Sequence, residues 1–177
     1  MRQEIIYKRN AILVPYCLLA PGFQANAHIE TKHGWNTEFI RILTENEIDI
    51  ISYSCVEASF DSVSKGLLRT KHGVGYYESL PNFLEYCKSA ADVETKKIMD
   101  MISGGYQIVA ILGIEHSPSC AVNYLYTHNG TQKRAGIFMK LLMDNLKYCN
   151  IDMRYIGINK RFPNKSIHKL KEYIYSL

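Results

Sequence analysis

An α/β fold, a Rossmann-like three-layer sandwich around a mostly parallel sheet of four to five strands, is what these 177 residues predict. Three observations point to it. Short apolar runs of strand length alternate along the chain with longer stretches whose apolar residues recur at helical spacing. Strands separated in this way by helices run parallel and are joined by right-handed crossovers. The run QIVAILGI (107–114) is continuously apolar, as a central strand covered on both faces must be. With 47% hydrophobic residues the chain can build one sizeable core, and a single domain over residues 1–177 is expected.

The elements follow in order. AILVPY (11–16) is a first strand. GWNTEFIRILTEN (34–46) places Trp35, Phe39, Ile42 and Leu43 on one helical stripe, and IDIISYS (48–54) is a second strand. A polar, glycine-bearing connection runs from Glu57 to Ser79. Pro81 then opens a long helix with Phe83, Leu84, Cys87, Ala91, Ile98, Met101 and Ile102 as its apolar side, closed by Gly104-Gly105. After the third strand (107–114) comes a helix from Ala135 to Cys149, with Phe138, Leu141, Leu142 and Leu146 inward. MRYIGIN (153–159) is a fourth strand and SIHKLKEYIYSL (166–177) a last helix.

Composition excludes several classes of function. The net charge of +4 is spread along the chain, and its densest cluster, KRFPNKSIHKLK (160–171), is spaced like the solvated face of a helix, so no nucleic-acid partner is expected. No segment approaches the ~18–20 apolar residues of a membrane helix. Residues 1–22 imitate the charged and apolar regions of a signal peptide, but Glu4, Pro15 and the suitability of 11–16 as a sheet strand argue against export. Five cysteines without close pairs do not make a disulfide framework, which favours a reducing cytoplasm. A monomer or homodimer is expected. HNGTQKRAG (128–136) lacks the glycine order of a phosphate loop, and no serine lies in G-x-S-x-G.

The cysteines carry the functional signal. Parallel strands all end on one edge of the sheet, where open α/β folds bind their ligands. Cys17 follows the first strand, Cys55 the second, and Cys120 the third by a few residues, in the segment GIEHSPSCAVN (113–123). Cys87 and Cys149 lie on helical stripes and read as small buried hydrophobes. Three edge thiols without a C-x-x-C pair match structural zinc poorly, because zinc wants four closed ligands. They suit a cubane iron–sulfur cluster with one iron left open, whose Lewis acidity would be available to substrate. The plain alternative is that strand-end cysteines are core residues.

The set CLL (17–19), CVE (55–57), GLLR (66–69) and LGIEHSPSCAV (112–122) resembles the bacterial 2-thiouracil desulfurase (desulfidase) family over most of the chain, SPSC after an apolar strand being its most specific element. The resemblance implies a [4Fe-4S] cluster held by Cys17, Cys55 and Cys120, with the fourth iron free to take the sulfur of a thiocarbonyl substrate. It also makes Glu57 a candidate acid/base or substrate-orienting group, and Ser117 and Ser119 hydroxyls that hold substrate or a cluster sulfide. Val56 stands where the family has proline, Ala121 where it has glycine, and Pro15-Tyr16 replaces Ser-Ala or Ser-His, which marks a divergent branch.

Hydrolytic removal of sulfur from C=S needs a thiophile, a water and a base. Glu57 is the first candidate base, against its reading as an exposed loop carboxylate; His116 is the second, against a solvent-facing role. Asn26, His28, His33 and Arg69 are weaker candidates, as are Asn159 and Arg161 after the fourth strand. Two other classes stay open: a sensor that binds a cluster or metal without turnover, and an enzyme with Cys120 as nucleophile activated by His116.

Overall fold

The computed structural model describes residues 8–25, 35–60 and 71–177. Strands β1 (Arg9–Pro15), β2 (Asp49–Tyr53), β3 (Tyr106–Ile114) and β6 (Tyr155–Ile158) form a parallel sheet in the order β2-β1-β3-β6. Strands β4 (Leu125–Thr127) and β5 (Gly130–Gln132) form a separate antiparallel hairpin. The helices are α1 (Tyr16–Leu19), α2 (Trp35–Glu45), α3 (Val56–Phe60), α4 (Val74–Ser79), α5 (Phe83–Ser103), α6 (Ile137–Tyr148) and α7 (Pro163–Ile174), with a 3₁₀ turn at Pro21–Phe23.

Strand alternation sorts the core into two layers. Ala11 and Leu13 of β1 face one side, where Phe83, Cys87, Ala91 and Ile98 of α5 and Phe138, Leu142 and Leu146 of α6 cover them. Ile12 and Val14 face the other, against Phe39 and Leu43 of α2 and Leu170 and Ile174 of α7. Fully burying one such side chain is worth about 1.5–3 kcal/mol, so the two layers hold the sheet in place from both faces. β3 lies between β1 and β6 and is buried from Ile108 to Ile114, as its continuous apolar run requires. Residues 11–15, part of the stretch that imitates a signal peptide, are buried in β1.

Several expectations need correction. Tyr16 is not the end of the first strand: Pro15 ends β1, and Tyr16 already begins α1. The polar connection after Glu57 contains two short helices, α3 and α4. On α5, Leu84 is 51% exposed and Ile102 40% exposed, because each lies one residue off the stripe that runs through Phe83, Cys87, Ala91, Ile98 and the partly buried Met101. Cys149 is not on the buried stripe but at the C-cap of α6, and it is partly exposed. α7 starts earlier than expected, at Pro163, whose fixed φ suits a first helical position. His128-Asn129-Gly130 belongs to the β4–β5 hairpin, with Gly130 at φ 99. The side chain of Trp35 lies outside the described residues.

Two glycines opposite each other in the register, Gly113 on β3 and Gly157 on β6, let the loop after β3 fold back onto the sheet. A Cβ on Gly113 would lie 2.1 Å from the Cys120 carbonyl oxygen, and one on Gly157 would lie 1.7 Å from Oε1 of Glu115. Gly113→Ala is therefore expected to cost ~1–3 kcal/mol by overpacking, a fall of several degrees in thermal midpoint. An unchanged midpoint in a melting experiment would mean that the loop does not rest on the strand.

Candidate functional site

The order β2-β1-β3-β6 reverses direction between β1 and β3, the switch point at which open α/β sheets leave a crevice beyond their strand ends. Cys17 sits in α1 immediately beyond β1. Cys55 precedes α3, its carbonyl accepting the Ser59 N–H (2.9 Å) as the first helical bond. Cys120 lies in the loop after β3. The three come from adjacent strands and line one cavity of about 90 Å³, together with Gln24, Glu57, Lys71, His72, Glu115, His116, Ser117 and Lys160 among others.

Glu57 is not a loop carboxylate. It lies in the first turn of α3, is only 7% exposed, and accepts three hydroxyl hydrogen bonds from the described residues. Ser119 Oγ donates to its Oε1 at 2.5 Å and Ser117 Oγ to the same oxygen at 3.0 Å, while Tyr77 OH donates to Oε2 at 3.2 Å. Ser117 in turn accepts from the Cys120 N–H (3.1 Å) and the Ser119 N–H (3.3 Å). The serines of SPSC thus tie the Cys120 loop to the helix that follows Cys55.

The loop itself is braced from below. Buried Glu115 accepts from the N–H groups of Asn123 (3.1 Å) and Tyr124 (2.9 Å) and from Asn123 Nδ2 (2.7 Å). The carbonyls of Pro118 and Ser119 accept from Ile137 and Met139 N–H in the first turn of α6. Gly136 permits that approach, since a Cβ there would lie 2.4 Å from the Ser119 carbonyl carbon.

His116 has a positive φ of 68 and donates its backbone N–H to the Tyr124 carbonyl at 2.7 Å. It is partly buried rather than solvent-facing, and its Nδ1 is buried without a hydrogen-bond partner among the described residues. Cys120 directs its Sγ–H to Ser117 Oγ at 3.2 Å. The thiol–imidazole pairing that a Cys120 nucleophile needs is not made among the described residues.

The thiols influence one another. Burial pushes the Cys17 thiol well above its ordinary range, and the proximity of Cys120 and then Cys55 pushes it further, while Lys160 pulls it down. Cys120 is pushed up to about 12, first by burial and then by the Glu57 carboxylate, with the Ser117 hydrogen bond acting the other way. Both keep part of their surface open to the cavity, yet enough protein surrounds each sulfur for burial to be the leading cause. A cation bound beside Cys17 and Cys120 would favour their thiolate forms against this burial. No group of three or more His, Cys, Asp or Glu side chains among the described residues stands ready to hold a metal ion. The fit to a cofactor therefore rests on donor chemistry: soft thiols sharing a cavity suit a cluster, which takes its ligands on separate irons. All five cysteines are free thiols.

Some candidates are not brought together. Asn26, His28, His33 and Arg69 lie outside the described residues. Asn159 accepts the Arg161 N–H at its own Oδ1 (2.9 Å), a turn leading into α7, and the residue between them, Lys160, is the one that lines the cavity. Lys160, Gln24, Tyr77 and His72 are residues that sequence reasoning missed. Lys160 was within reach, since the strand end before it is legible; Tyr77 carries no local signal, because α4 brings it to Glu57 from twenty residues downstream.

The fold and the site together define a class: an open, parallel α/β sheet with thiols from three neighbouring strand ends gathered at its switch point. No family model matches the sequence, and no curated protein matches it. Among solved structures the chain is similar to the [4Fe-4S]-dependent thiouracil desulfidase TudS, with a TM-score of 0.52 and 13% identity over 93% of this chain and 99% of that one. At that identity the two share a fold. No helix among the described residues is long and apolar enough to cross a membrane.

Proposed function

We propose that this chain is an iron–sulfur-dependent, non-redox desulfidase acting on a small thiocarbonyl compound such as a thiolated pyrimidine. The observation that carries the reading is the convergence of Cys17, Cys55 and Cys120 on a cavity that also contains Glu57 and His116. The shared fold with TudS supports it. Cys17, Cys55 and Cys120 would hold a [4Fe-4S] cluster, which when bound supplies an open, thiophilic iron.

The remaining work falls to the chain's own residues. Glu57 receives the proton of the water whose oxygen replaces sulfur on carbon. The Ser117 and Ser119 hydroxyls hold Oε1 of that carboxylate in place, and Tyr77 holds Oε2, so its orientation does not depend on substrate. His116, which lines the same cavity, returns a proton as sulfur leaves. Water enters, oxygen stays on carbon and sulfide departs, so no electrons are transferred overall.

Anaerobic reconstitution with iron and sulfide, followed by metal and sulfide analysis, tests the cofactor. Incubation of the loaded protein with 2-thiouracil tests the reaction. A brown protein that releases sulfide and the oxo product without any reductant is the expected outcome. A colourless protein that takes up no iron would overturn the reading, and a stable cluster without sulfide release would point to a sensor.

A further inference from the structure

The lining of the cavity carries both acidic and basic side chains. Both carboxylates of the lining are engaged in hydrogen bonds: Glu57 accepts from Ser117, Ser119 and Tyr77, and Glu115 from Asn123 and Tyr124. The basic side chains of the lining are Lys71, His72, His116 and Lys160. One of them is held by a built arrangement. Gln24, buried at 8% exposure, donates Nε2 to the Cys17 carbonyl at 3.0 Å and accepts the Lys160 ammonium on its Oε1 at 2.6 Å.

This clip joins the segment after β1 to the segment after β6. Gln24 follows the 3₁₀ turn after α1, Cys17 lies in α1, and Lys160 comes 136 residues after Gln24, just beyond β6. A lysine on an exposed loop would pay a large rotamer entropy to stay in one place. Here the Gln24 amide holds it at the cavity, and the carbonyl of Cys17 holds the amide.

We propose that Lys160, positioned by Gln24 over the Cys17 end of the cavity, is a specificity-determining residue that selects an anionic thiocarbonyl compound, one carrying a carboxylate or a similar acidic group beside the C=S carbon. The assignment rests on the desulfidase reading for the C=S group and on the Gln24–Lys160 clip for the anion. A charge-assisted hydrogen bond from Lys160 would favour such a compound over its uncharged parent by ~10-fold or more in affinity.

Binding to sulfur-free analogues tests the anion site apart from turnover. Calorimetric titration of the cluster-loaded protein with uracil-6-carboxylate and with uracil should show tighter binding of the carboxylate, weakening as salt rises. Lys160→Met should collapse that preference to about one, and Lys160→Arg should restore most of it. Gln24→Glu puts a carboxylate against the Lys160 ammonium and gives up the bond to the Cys17 carbonyl, so it should also erase the preference even if Lys160→Met folds poorly. Equal affinities in the unaltered protein, or a preference that survives both Lys160→Met and Gln24→Glu, would overturn the assignment. If the preference is present and lost as described, but neither 2-thiouracil nor its 6-carboxylate loses sulfur, the desulfidase reading fails and the anion site stands.

Discussion

Single replacement of Cys17, Cys55 or Cys120 by Ala is expected to abolish the broad visible absorption of the reconstituted protein. Each residue comes from the end of a different strand of the same sheet, so no neighbouring cysteine can substitute for a lost one. A cluster left with two thiolates would be exposed and labile. The two other cysteines serve as controls. Cys87 is fully buried against α6 and its Ala variant should lose ~1 kcal/mol of packing, whereas Cys149 sits partly exposed at a helix end and its variant should change stability by less than ~0.5 kcal/mol. Iron content and absorbance measured side by side on the five variants check this. A full cluster in any of the three edge variants would show that the ligand set is wrong.

The second large effect is expected from Glu57→Gln: an intact absorption spectrum with turnover slowed by ~10²-fold or more, the usual scale for loss of a general base. The glutamine can occupy the same place in α3 and still accept from one serine, but it cannot take a proton from water. It also presents an amide N–H₂ toward hydroxyls that now donate to a carboxylate, so Ser117, Ser119 or Tyr77 must turn. Steady-state sulfide release from 2-thiouracil, with absorbance recorded on the same sample, separates loss of chemistry from loss of cofactor. Unchanged turnover would move the role to His116, and a strict requirement for an electron donor would end the non-redox scheme.

Much of this site was legible in the chain because it depends on periodicity and on topology. Residues 11–16, 48–54 and 107–114 read as strands from their apolar runs, the observed strands being Arg9–Pro15, Asp49–Tyr53 and Tyr106–Ile114, and strands joined through helices had to be parallel. From that alone Cys17, Cys55 and Cys120 fall on one edge, and in the observed fold they follow the ends of three adjacent strands. The helical stripes of α5 and α6 were equally legible, and their misassigned members, Leu84, Ile102 and Cys149, differ from the buried ones by a single step of rotation or by standing at a helix end.

Tertiary structure alone decided the environment of those residues. Glu57 reads in sequence as a carboxylate two positions past a cysteine; its burial and its three hydroxyl donors depend on α4 and on the loop after β3, which lie 20 and about 60 residues away. The room for that loop comes from Gly113, Gly136 and Gly157, whose necessity appears only when the opposing atoms are in place. The Gln24–Lys160 clip spans 136 residues and leaves no periodic trace. Periodicity reports which face of an element is buried, because burial of apolar surface acts along the whole element at once. A hydrogen bond between single polar groups is local in space, not in sequence, and only the closed fold determines which partners meet.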